Sequence, residues 1–471
     1  MVYYDRKSKQ VHVLNAREYS PSNVTKNMYK KTPSPSWGGL SSAIPGEVYG
    51  YWELHQRFGK LPWKSLFDPV IKLCREGIPV TRITSEMLVK MRTHIMTSSS
   101  IKEIFCNPKT GDVYKPGEFM KRPALAKTFE TLATEGVKAL YDGSLTKEFV
   151  QDITNNGGII TEEDMKNYRA KWMSPISMSM MNNKQIYTTP NPGCGQIFLA
   201  ILDVIFSLRK SDSPSVNWFR IVETWKHAFG YKSNMDGPNL SDEVKGENYD
   251  PSMAKTILKS IESESSTSSD VRDYAEDFEK MGHEEGTCHI NLLSPNGDAV
   301  SVTSSINYAI GALYCSESTG IIMNNHMMDF SIPEYMDKFY SANQLGPSKQ
   351  PVSSMVPTII VDTKTHNVAM VVGAAGGFKI LTAASQILIE MLVFDIPQEL
   401  AIAHRRLHHQ LVPMILFYEE DFPKTILDEL KKYGHHLERI QPGTGVAVIT
   451  VNKRGIRATG DPRRLGSACG Y

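Results

Sequence analysis

A short hairpin signal near residue 295 constrains this chain more than any other pattern. Ile290 and Leu292, and then Val300 and Val302, alternate with other residues on either side of Ser-Pro-Asn-Gly-Asp at 294–298. Alternation with a period of two predicts β-strands, and Asn-Gly is a preferred centre for a tight turn between two of them. We therefore expect two adjacent antiparallel strands here.

A threonine stands where the first of these strands begins. Residues 260–286 are rich in serine and carboxylates and poor in apolar side chains, which predicts a solvated loop that ends at Gly286-Thr287-Cys288. Cleavage between Gly286 and Thr287 would give Thr287 a free α-amine, with a pKa of about 8, beside its own hydroxyl. The alternative is that Thr287 is only a β-branched residue at a strand start.

Several further motifs occur in a fixed order along the chain. They are Asn15-Ala16-Arg17-Glu18, Ala43-Ile44-Pro45-Gly46-Glu47, Tyr141-Asp142-Gly143-Ser144-Leu145, Gly157-Gly158-Ile159-Ile160-Thr161, Thr303-Ser304-Ser305-Ile306-Asn307, the run from Asn324 to Ser331, the run from Pro351 to Thr358, Gly373 to Gly377, and Asp461-Pro462-Arg463-Arg464 to Gly470-Tyr471. Together these motifs resemble the gamma-glutamyltransferase family, also called gamma-glutamyl transpeptidases or glutathione hydrolases. The resemblance runs from about residue 11 to the last residue, so it is more specific than any single motif.

The order of predicted elements agrees with a layered fold. Periodicity predicts helices over 123–141, 144–154 and 196–208, and a strand over Gln185 to Thr188. It also predicts a hairpin of Val356 to Val361 with Val368 to Val372, followed by a helix. Strands covered by helices favour an antiparallel sandwich with helical outer layers. The resemblance implies an α+β fold, the four-layer αββα sandwich of N-terminal nucleophile hydrolases, in which fragments 1–286 and 287–471 form one intertwined body.

The resemblance also implies a catalytic set. Thr287 is the nucleophile, its free amine relays the proton, and Ser305 orients its hydroxyl. Gly376 and Gly377 hold the oxyanion, which agrees with the backbone N–H groups that a glycine turn exposes before a helix. Residues 373–377 lack the Lys-Ser/Thr of a P-loop, so we reject nucleotide binding.

A second implied set binds the glutamyl group of the substrate. A guanidinium that binds a carboxylate and a carboxylate that binds an ammonium form a clamp for a zwitterion, which selects a γ-linked glutamyl group over an ordinary peptide. The α-carboxylate is assigned to Arg17, Ser353 and Ser354, and the α-ammonium to Asn307, Asp329 and the residue at His326.

Two departures from the family pattern stand out. His326 occupies the place of a Glu or Gln, and an imidazole is a poor replacement that repels an ammonium when protonated. The alternative is that this side chain turns away from the pocket. The opening Met-Val-Tyr-Tyr-Asp matches the family only after its anchor and first long helix, so we expect exposed apolar surface on one sheet face.

The predicted activity is cleavage of the γ-glutamyl bond of glutathione and its conjugates through an ester on Thr287. The partners are γ-glutamyl compounds, water, amino-acid or dipeptide acceptors, and the chain's own second fragment; no cofactor and no metal is needed. Two alternatives stay open. One is a catalytically impaired relative that acts as a binding or decoy protein, and the other is an acylase of the same fold.

Composition and sorting signals add limits. The chain has 52 Lys and Arg against 51 Asp and Glu, which argues against nucleic acid as a partner. The family implies the extracellular face of the plasma membrane or secretion, although no signal peptide or anchor is visible. Asn23 and Asn239 are glycosylation acceptors if the chain is secreted. His404, His408 and His409 are interpreted as a solvated helix face rather than a metal site, because arginines lie among them.

Overall fold

The computed structural model describes residues 1–30, 36–242, 248–263, 265–275, 286–332 and 342–470. Its strands are β1 Val2–Asp5, β2 Gln10–Asn15, β3 Ile78–Pro79, β4 Phe119–Met120, β5 Lys171–Met173, β6 Ile176–Met180, β7 Lys184–Thr188, β8 Thr287–Leu293, β9 Ala299–Ser305, β10 Thr358–Asp362, β11 Val368–Ala375, β12 Leu407–His408, β13 Leu416–Glu419, β14 Leu437–Ile440, β15 Gly445–Asn452 and β16 Gly455–Gly460.

The helices are α1 Glu47–Phe58, α2 Asp68–Glu76, α3 Arg82–Lys90, α4 Arg92–Ile95, α5 Ser99–Phe105, α6 Pro123–Glu135, α7 Lys138–Tyr141, α8 Thr146–Asn155, α9 Glu162–Asn167, α10 Gly195–Ser207, α11 Pro214–Ser233, α12 Ser252–Ser263, α13 Lys379–Leu392, α14 Gln398–Ala403 and α15 Lys424–Lys432.

Two antiparallel sheets form the centre of the molecule. One has the strand order β5-β2-β1-β9-β8 and the other β16-β15-β11-β10-β7-β6. Val2 and Val13 of the first sheet pack with Ile359 and Val371 of the second in one buried apolar cluster. Each such side chain contributes about 1.5–3 kcal/mol when it leaves water.

Helices cover the outer faces of the two sheets. The helices α10, α11 and α13 bury Phe198, Trp225 and Leu388 in the large cluster against the six-stranded sheet. On the other side α1 contacts β2, and its Phe58 ring lies 4.2 Å from that of Tyr3. The α+β sandwich with the layer order αββα is therefore confirmed.

The hairpin predicted around residue 295 is confirmed, and its register places Thr287 opposite Ser305. Its faces invert the usual rule that apolar side chains point to the core. Ile290 and Leu292 are 54% and 58% exposed on the outer face of β8, an edge strand of its sheet. These two apolar side chains are therefore exposed at this edge of the sheet.

Some predicted boundaries were wrong. The helix predicted over 123–141 is broken, because Gly136 closes α6 with a φ of +75° before α7 begins. The strand predicted from Val356 begins at Thr358, since Pro357 has no N–H for the ladder. The loop predicted from residue 260 begins later, because α12 continues to Ser263 with Ile261 buried. The rest of that loop lies in part outside the described residues.

The interpretation of the histidines as solvated was wrong for His408 and His409, whereas His404 is exposed. The helix α14 ends at Ala403, and His408 lies in β12, which pairs with β13. His408 and His409 are 5% and 2% exposed, and burial lowers the pKa of His408 to about 4. These rings are buried because α14 ends before them and β12 pairs with β13, and local sequence patterns do not predict that pairing.

Surface features bear on cellular location. Among the described residues, no helix combines the length and the apolar character that a membrane crossing requires. Asn23 and Asn239 are both exposed.

Candidate active site

Thr287 and Ser305 face each other at the end of the hairpin. Their hydroxyl oxygens lie 3.0 Å apart, within hydrogen-bond distance, and Ser305 Oγ also accepts a hydrogen bond of 2.9 Å from the Asn307 N–H. Thr287 is 8% exposed. The strand pairing therefore fixes the Thr287 hydroxyl in a largely buried position with one polar neighbour.

The backbone around Gly286 leaves no space for a side chain. A Cβ at this position would lie 2.1 Å from the carbonyl oxygen of Tyr308. The Gly286 carbonyl accepts a hydrogen bond of 3.1 Å from the Ile306 N–H, and its own N–H donates to Asn307 over 2.7 Å. Backbone groups of Ile306 and Asn307, which follow β9, therefore hydrogen-bond both the carbonyl and the N–H of Gly286.

Arg464 contacts the same position from the end of the chain. Its Nη1 donates to the Thr287 carbonyl oxygen over 2.8 Å, and its Nε donates to the Gly443 carbonyl over 2.6 Å. Sequence reasoning assigned this residue no role. The sequence feature that could have indicated a role for Arg464 is its place in the terminal motif Asp461-Pro462-Arg463-Arg464.

A ladder of polar side chains runs from Thr287 along the inner face of the hairpin. His289 Nδ1 lies 2.8 Å from Thr303 Oγ1, and its Nε2 lies 2.9 Å from Asn291 Oδ1. Burial lowers the pKa of His289 to about 4, so the ring is neutral at physiological pH. A Cβ on Gly373 would lie 2.1 Å from His289 Cε1, which explains why a glycine faces this ring.

The ladder also bonds the hairpin to the second sheet. Asn291 Nδ2 donates to the Ala447 carbonyl over 2.8 Å, and Ser301 Oγ donates to the Val372 carbonyl over 3.2 Å. These contacts fix the edge strand β8 against β11 and β15. Sequence reasoning missed the ladder, although the polar residues at 287, 289 and 291 recur with the period of a strand.

Four of the six predicted clamp residues, Arg17, His326, Asp329 and Ser353, line a cavity beside Thr287, whereas Asn307 and Ser354 are not among its lining residues. Arg17 is 7% exposed, its Nε donates to the Pro351 carbonyl over 3.1 Å, and its Nη2 forms a close ion pair with Asp329. Ser353 lines the same cavity, which has a volume of about 80 Å³. The chain therefore brings the predicted carboxylate-binding and ammonium-binding groups into direct contact.

Glu18 and His326 form a second buried pair in this cavity. His326 is 1% exposed, and its Nδ1 lies 3.3 Å from Glu18 Oε1. Burial by itself would raise the pKa of Glu18, but the charges of His326 and Arg17 outweigh it and hold that pKa below its usual value. Sequence reasoning did not single out Glu18, although it follows Arg17 in the same motif.

Two buried polar atoms at the predicted substrate-binding positions, Asn307 Oδ1 and Ser354 Oγ, lack a hydrogen-bond partner within the described part of the chain. Asn307 also has a left-handed φ of +70°, an uncommon conformation for a residue other than glycine. Buried polar groups are nearly always hydrogen-bonded, so these atoms indicate a place for a polar ligand.

Gly376 and Gly377 lie where β11 meets α13. Both have positive φ angles, +144° and +62°. A Cβ on Gly376 would lie 2.8 Å from Thr444 Oγ1, so this turn requires glycine. Ala375, which precedes them, lines a second cavity of about 930 Å³ that also reaches Thr287.

The described residues contain no group of three or more His, Cys, Asp or Glu side chains placed to hold a metal ion. What the site presents is a hydroxyl between two cavities, one of which is lined by opposite buried charges. Such an arrangement suits acyl transfer from a zwitterionic substrate.

The chain is similar to known proteins over nearly its whole length. The chain is 35% identical over 487 residues to Scoloptoxin SSD14 of Scolopendra dehaani, with 100% of this chain and 83% of that protein covered. It is 32% identical to Glutathione hydrolase proenzyme 2 of Schizosaccharomyces pombe, with 97% and 77% covered.

A cephalosporin acylase from Bacillus halodurans has the same fold, with a TM-score of 0.83, 20% identity, and 100% of this chain and 86% of that one covered. The family model described as gamma-glutamyltranspeptidase matches residues 1–471. With the match extending over every residue, and relatives above 30% identity over nearly the whole chain, this protein belongs to the gamma-glutamyltranspeptidase family.

Proposed function

We propose that this protein is a glutathione hydrolase and gamma-glutamyltransferase that uses Thr287 as an N-terminal nucleophile. The observation that carries the proposal is the Thr287 hydroxyl, 3.0 Å from Ser305 Oγ and beside a cavity that contains the buried Arg17–Asp329 pair. A nucleophile next to a site for a zwitterion is what cleavage of a γ-glutamyl bond requires.

Maturation precedes turnover. Thr287 Oγ1 attacks the Gly286 carbonyl carbon, the peptide bond to the Thr287 nitrogen breaks, and an ester forms in its place. Water then hydrolyses the ester to give fragments 1–286 and 287–471. The Ile306 N–H, 3.1 Å from the Gly286 oxygen, is positioned to stabilise negative charge on it. The description of the fission yeast relative as a proenzyme supports this step.

Substrate binding exchanges the partners of the clamp. The α-carboxylate of the glutamyl group takes a place on Arg17 with Ser353 and Ser354, and the α-ammonium binds Asp329 and Asn307. Arg17 and Asp329 pair with each other, so neither charge is buried without compensation. A substrate that brings both charges restores both pairings, whereas one with a single charge does not.

Turnover then proceeds in two steps. The Thr287 amine accepts the hydroxyl proton, Oγ1 attacks the γ-carbonyl carbon, and the N–H groups of Gly376 and Gly377 stabilise the oxyanion. The carbon–nitrogen bond breaks, and cysteinylglycine leaves with the proton on its amine. Water or the amine of an amino acid or dipeptide next attacks the glutamyl ester and regenerates Thr287. These residues supply every group that the steps use.

The Arg17–Asp329 pair also bears on the alternative acylase function. A general acylase gains nothing from two buried charges that match a free amino acid head group, so the pair favours the γ-glutamyl substrate. We further propose that the protein acts outside the cell, as the family implies, with exposed Asn23 and Asn239 as glycosylation sites.

The test compares the parent protein with Thr287→Ala by denaturing electrophoresis, mass measurement and release of a chromogenic amine from a γ-glutamyl anilide. We expect the parent to separate into fragments of 286 and 185 residues (471 − 286) and to release the amine. Thr287→Ala should stay as one chain without activity, and exposed Thr134→Ala should behave as the parent. An uncut and inactive parent would refute the proposal in favour of a binding or decoy protein.

A further inference from the structure

The ammonium of Lys232 is buried without an acidic partner. Lys232 lies in the last turn of α11 and is only 5% exposed. Within the described residues, no carboxylate lies at ion-pair distance from its Nζ. A buried ammonium is costly unless other groups compensate its charge. The groups that surround Lys232 must therefore supply this compensation.

Two features of the fold compensate the charge. The carbonyl groups at the end of α11 carry partial negative charge, which favours a cation in the last turn of the helix. The Lys232 ammonium also lies over the ring of Phe378, 4.8 Å from the ring centroid. The face of an aromatic ring attracts a cation, and the attraction is larger where water is excluded. The Lys232–Phe378 contact is therefore a cation–π interaction inside the molecule.

The nearby thiol of Cys194 does not supply a negative charge. Burial raises the pKa of this thiol to about 11, although the charge of Lys232 acts in the opposite direction. The thiol is therefore uncharged at physiological pH, and the ring of Phe378 and the end of α11 remain as the compensating groups.

Phe378 directly follows the glycine pair proposed to hold the oxyanion, Gly376-Gly377, which we call the oxyanion turn. Both glycines have positive φ angles, and a glycine backbone can adopt many other conformations. On one side the turn is fixed by β11, where Ala375 pairs with Gly445 of β15. On the other side Phe378 is the N-cap residue of α13 and makes no side-chain capping hydrogen bond. Its ring is therefore the first side chain after the turn that can fix it.

We propose that Lys232 is a positioning residue for the oxyanion turn and acts through the ring of Phe378. The cation–π contact holds Phe378, and Phe378 holds the N–H groups of Gly376 and Gly377 in the direction that the reaction requires. Donors stabilise an oxyanion best when they are in place before the charge develops. This inference rests on the proposed function, because it assigns a support to the same turn.

The first test measures kcat and KM for a γ-glutamyl anilide. Lys232→Met and Phe378→Leu each remove one partner of the contact and keep an apolar side chain. We expect either change to lower kcat about twofold to tenfold, the range of one cation–π contact, and to leave KM unchanged, because the clamp binds the glutamyl group. The double variant should fall no further than the single variants, since all three lose the same contact. Lys232→Arg and Phe378→Tyr keep a cation and an aromatic face, so they should retain the kcat of the parent.

Lys210 offers a matched control. Its ammonium lies 5.4 Å from the centroid of the Phe394 ring, and Lys210 is exposed. Phe394 follows the C-terminal end of α13, so the length of this helix, about 20 Å, separates it from the oxyanion turn. Lys210→Met therefore removes a cation–π contact that does not hold the turn, and its kcat should equal that of the parent.

A second measurement does not depend on activity. Amide hydrogen exchange reports how readily N–H groups leave their fixed positions. We expect faster exchange over residues 375–381 in Lys232→Met and Phe378→Leu than in the parent, and no change in Lys210→Met. If exchange changes in this way but the parent is uncut and inactive, the proposed function fails while the contact still fixes the turn.

Three results would overturn the positioning role. The first is an exchange rate over residues 375–381 that stays at the parent value in Lys232→Met or Phe378→Leu. The second is a parent-like kcat in either of these variants of an active protein. The third is a double variant whose loss of kcat equals the product of the two single losses, because the residues would then act independently.

Discussion

Two clusters of buried charge in this protein look alike in composition and differ in what surrounds them. The clamp cluster comprises Arg17, Glu18, His326 and Asp329. The anchor cluster comprises Glu223, Lys226, Thr267, Tyr274 and His435. In the anchor cluster the Lys226 ammonium lies 3.1 Å from Glu223 Oε1, 3.0 Å from the Ser268 carbonyl and 2.5 Å from the Tyr274 hydroxyl.

The clamp cluster borders a cavity, whereas the charged groups of the anchor cluster contact other residues of the same chain. The clamp lines a cavity with the nucleophile, and the unpartnered Asn307 Oδ1 and Ser354 Oγ occur at the predicted substrate positions. The anchor ties residues 267–274 to α11 through Lys226 and Glu223. Buried charge alone therefore does not mark a site, and the clamp differs from the anchor in the cavity that it lines beside the nucleophile.

The largest expected effect is on stability, in the anchor cluster. Lys226→Met leaves the Glu223 carboxylate buried without its cation, which costs about 3–5 kcal/mol of unfolding free energy. Urea unfolding measures this, with exposed Lys255→Met as the control. The specific activity of the folded variant should stay within about twofold of the parent, since the anchor touches no proposed substrate group. A loss of activity without a loss of stability would invalidate the distinction between the clusters.

The next effect is on activity, in the clamp cluster. Asp329→Asn removes the charge proposed to bind the substrate ammonium, and loss of such a buried charged contact costs about 2–5 kcal/mol. This predicts that kcat/KM for a γ-glutamyl anilide falls roughly 30-fold to several thousand-fold. Exposed Asp428→Asn on α15 should have no effect. If Asp329→Asn lowers stability more than Lys226→Met does and keeps the kcat/KM of the parent, the clamp stabilises the fold and does not bind the substrate.

Acid should weaken the anchor through His435. Burial, and secondly the charge of Lys226, lower the pKa of this imidazole to about 3 in the folded protein, against an ordinary value of 6.5. Between these values the unfolded chain binds the extra proton, so the stability that the neutral ring contributes is complete above pH 6.5 and declines toward pH 3. His435→Gln should flatten this part of the pH profile of unfolding free energy. An unchanged slope would show that His435 does not cause this loss of stability.

The smallest effects contrast two buried serines. Ser354→Ala removes an unpartnered hydroxyl, so we expect kcat/KM to fall about twofold to tenfold through one lost substrate hydrogen bond, with no loss of stability. Ser385 Oγ accepts a hydrogen bond from Trp225 Nε1 over 3.0 Å and donates to the Thr382 carbonyl over 3.1 Å. Ser385→Ala should therefore cost about 1–3 kcal/mol of stability and leave kcat/KM unchanged. The opposite pattern would mean that unpartnered atoms do not mark the substrate here.

Local patterns gave the right secondary structure where the controlling contacts are close in sequence. The Asn-Gly turn and the alternation around it predicted the hairpin, and the register that opposes Thr287 and Ser305 agrees with it. The element boundaries at Gly136 and Pro357 could have been predicted from the sequence, because each depends on the backbone of one residue. The helix end at Ser263 was not, since burial of Ile261 against α10 outweighs the polar composition of the loop.

The candidate site was predicted in part. The motifs indicated Thr287, Arg17, Asp329 and the serine pair, and the fold brings Thr287, Arg17, Asp329 and Ser353 to one cavity. The roles of Glu18 and Arg464 were missed, because a charged residue in a motif shows no partner until the chain is folded. The same limit concealed the pairing of Glu18 with His326, which lie far apart in the sequence.

The sequence by itself determined that a hairpin begins at Thr287, because turn chemistry and strand periodicity act between neighbouring residues. Only the tertiary structure decided which face of that hairpin turns inward. The second sheet offers carbonyl groups of Val372 and Ala447 and the space above Gly373, so the polar face of the half-buried His289 and Asn291 turns inward and the apolar face of Ile290 is exposed. That choice depends on hydrogen bonds between strands distant in the chain, and no local pattern contains them.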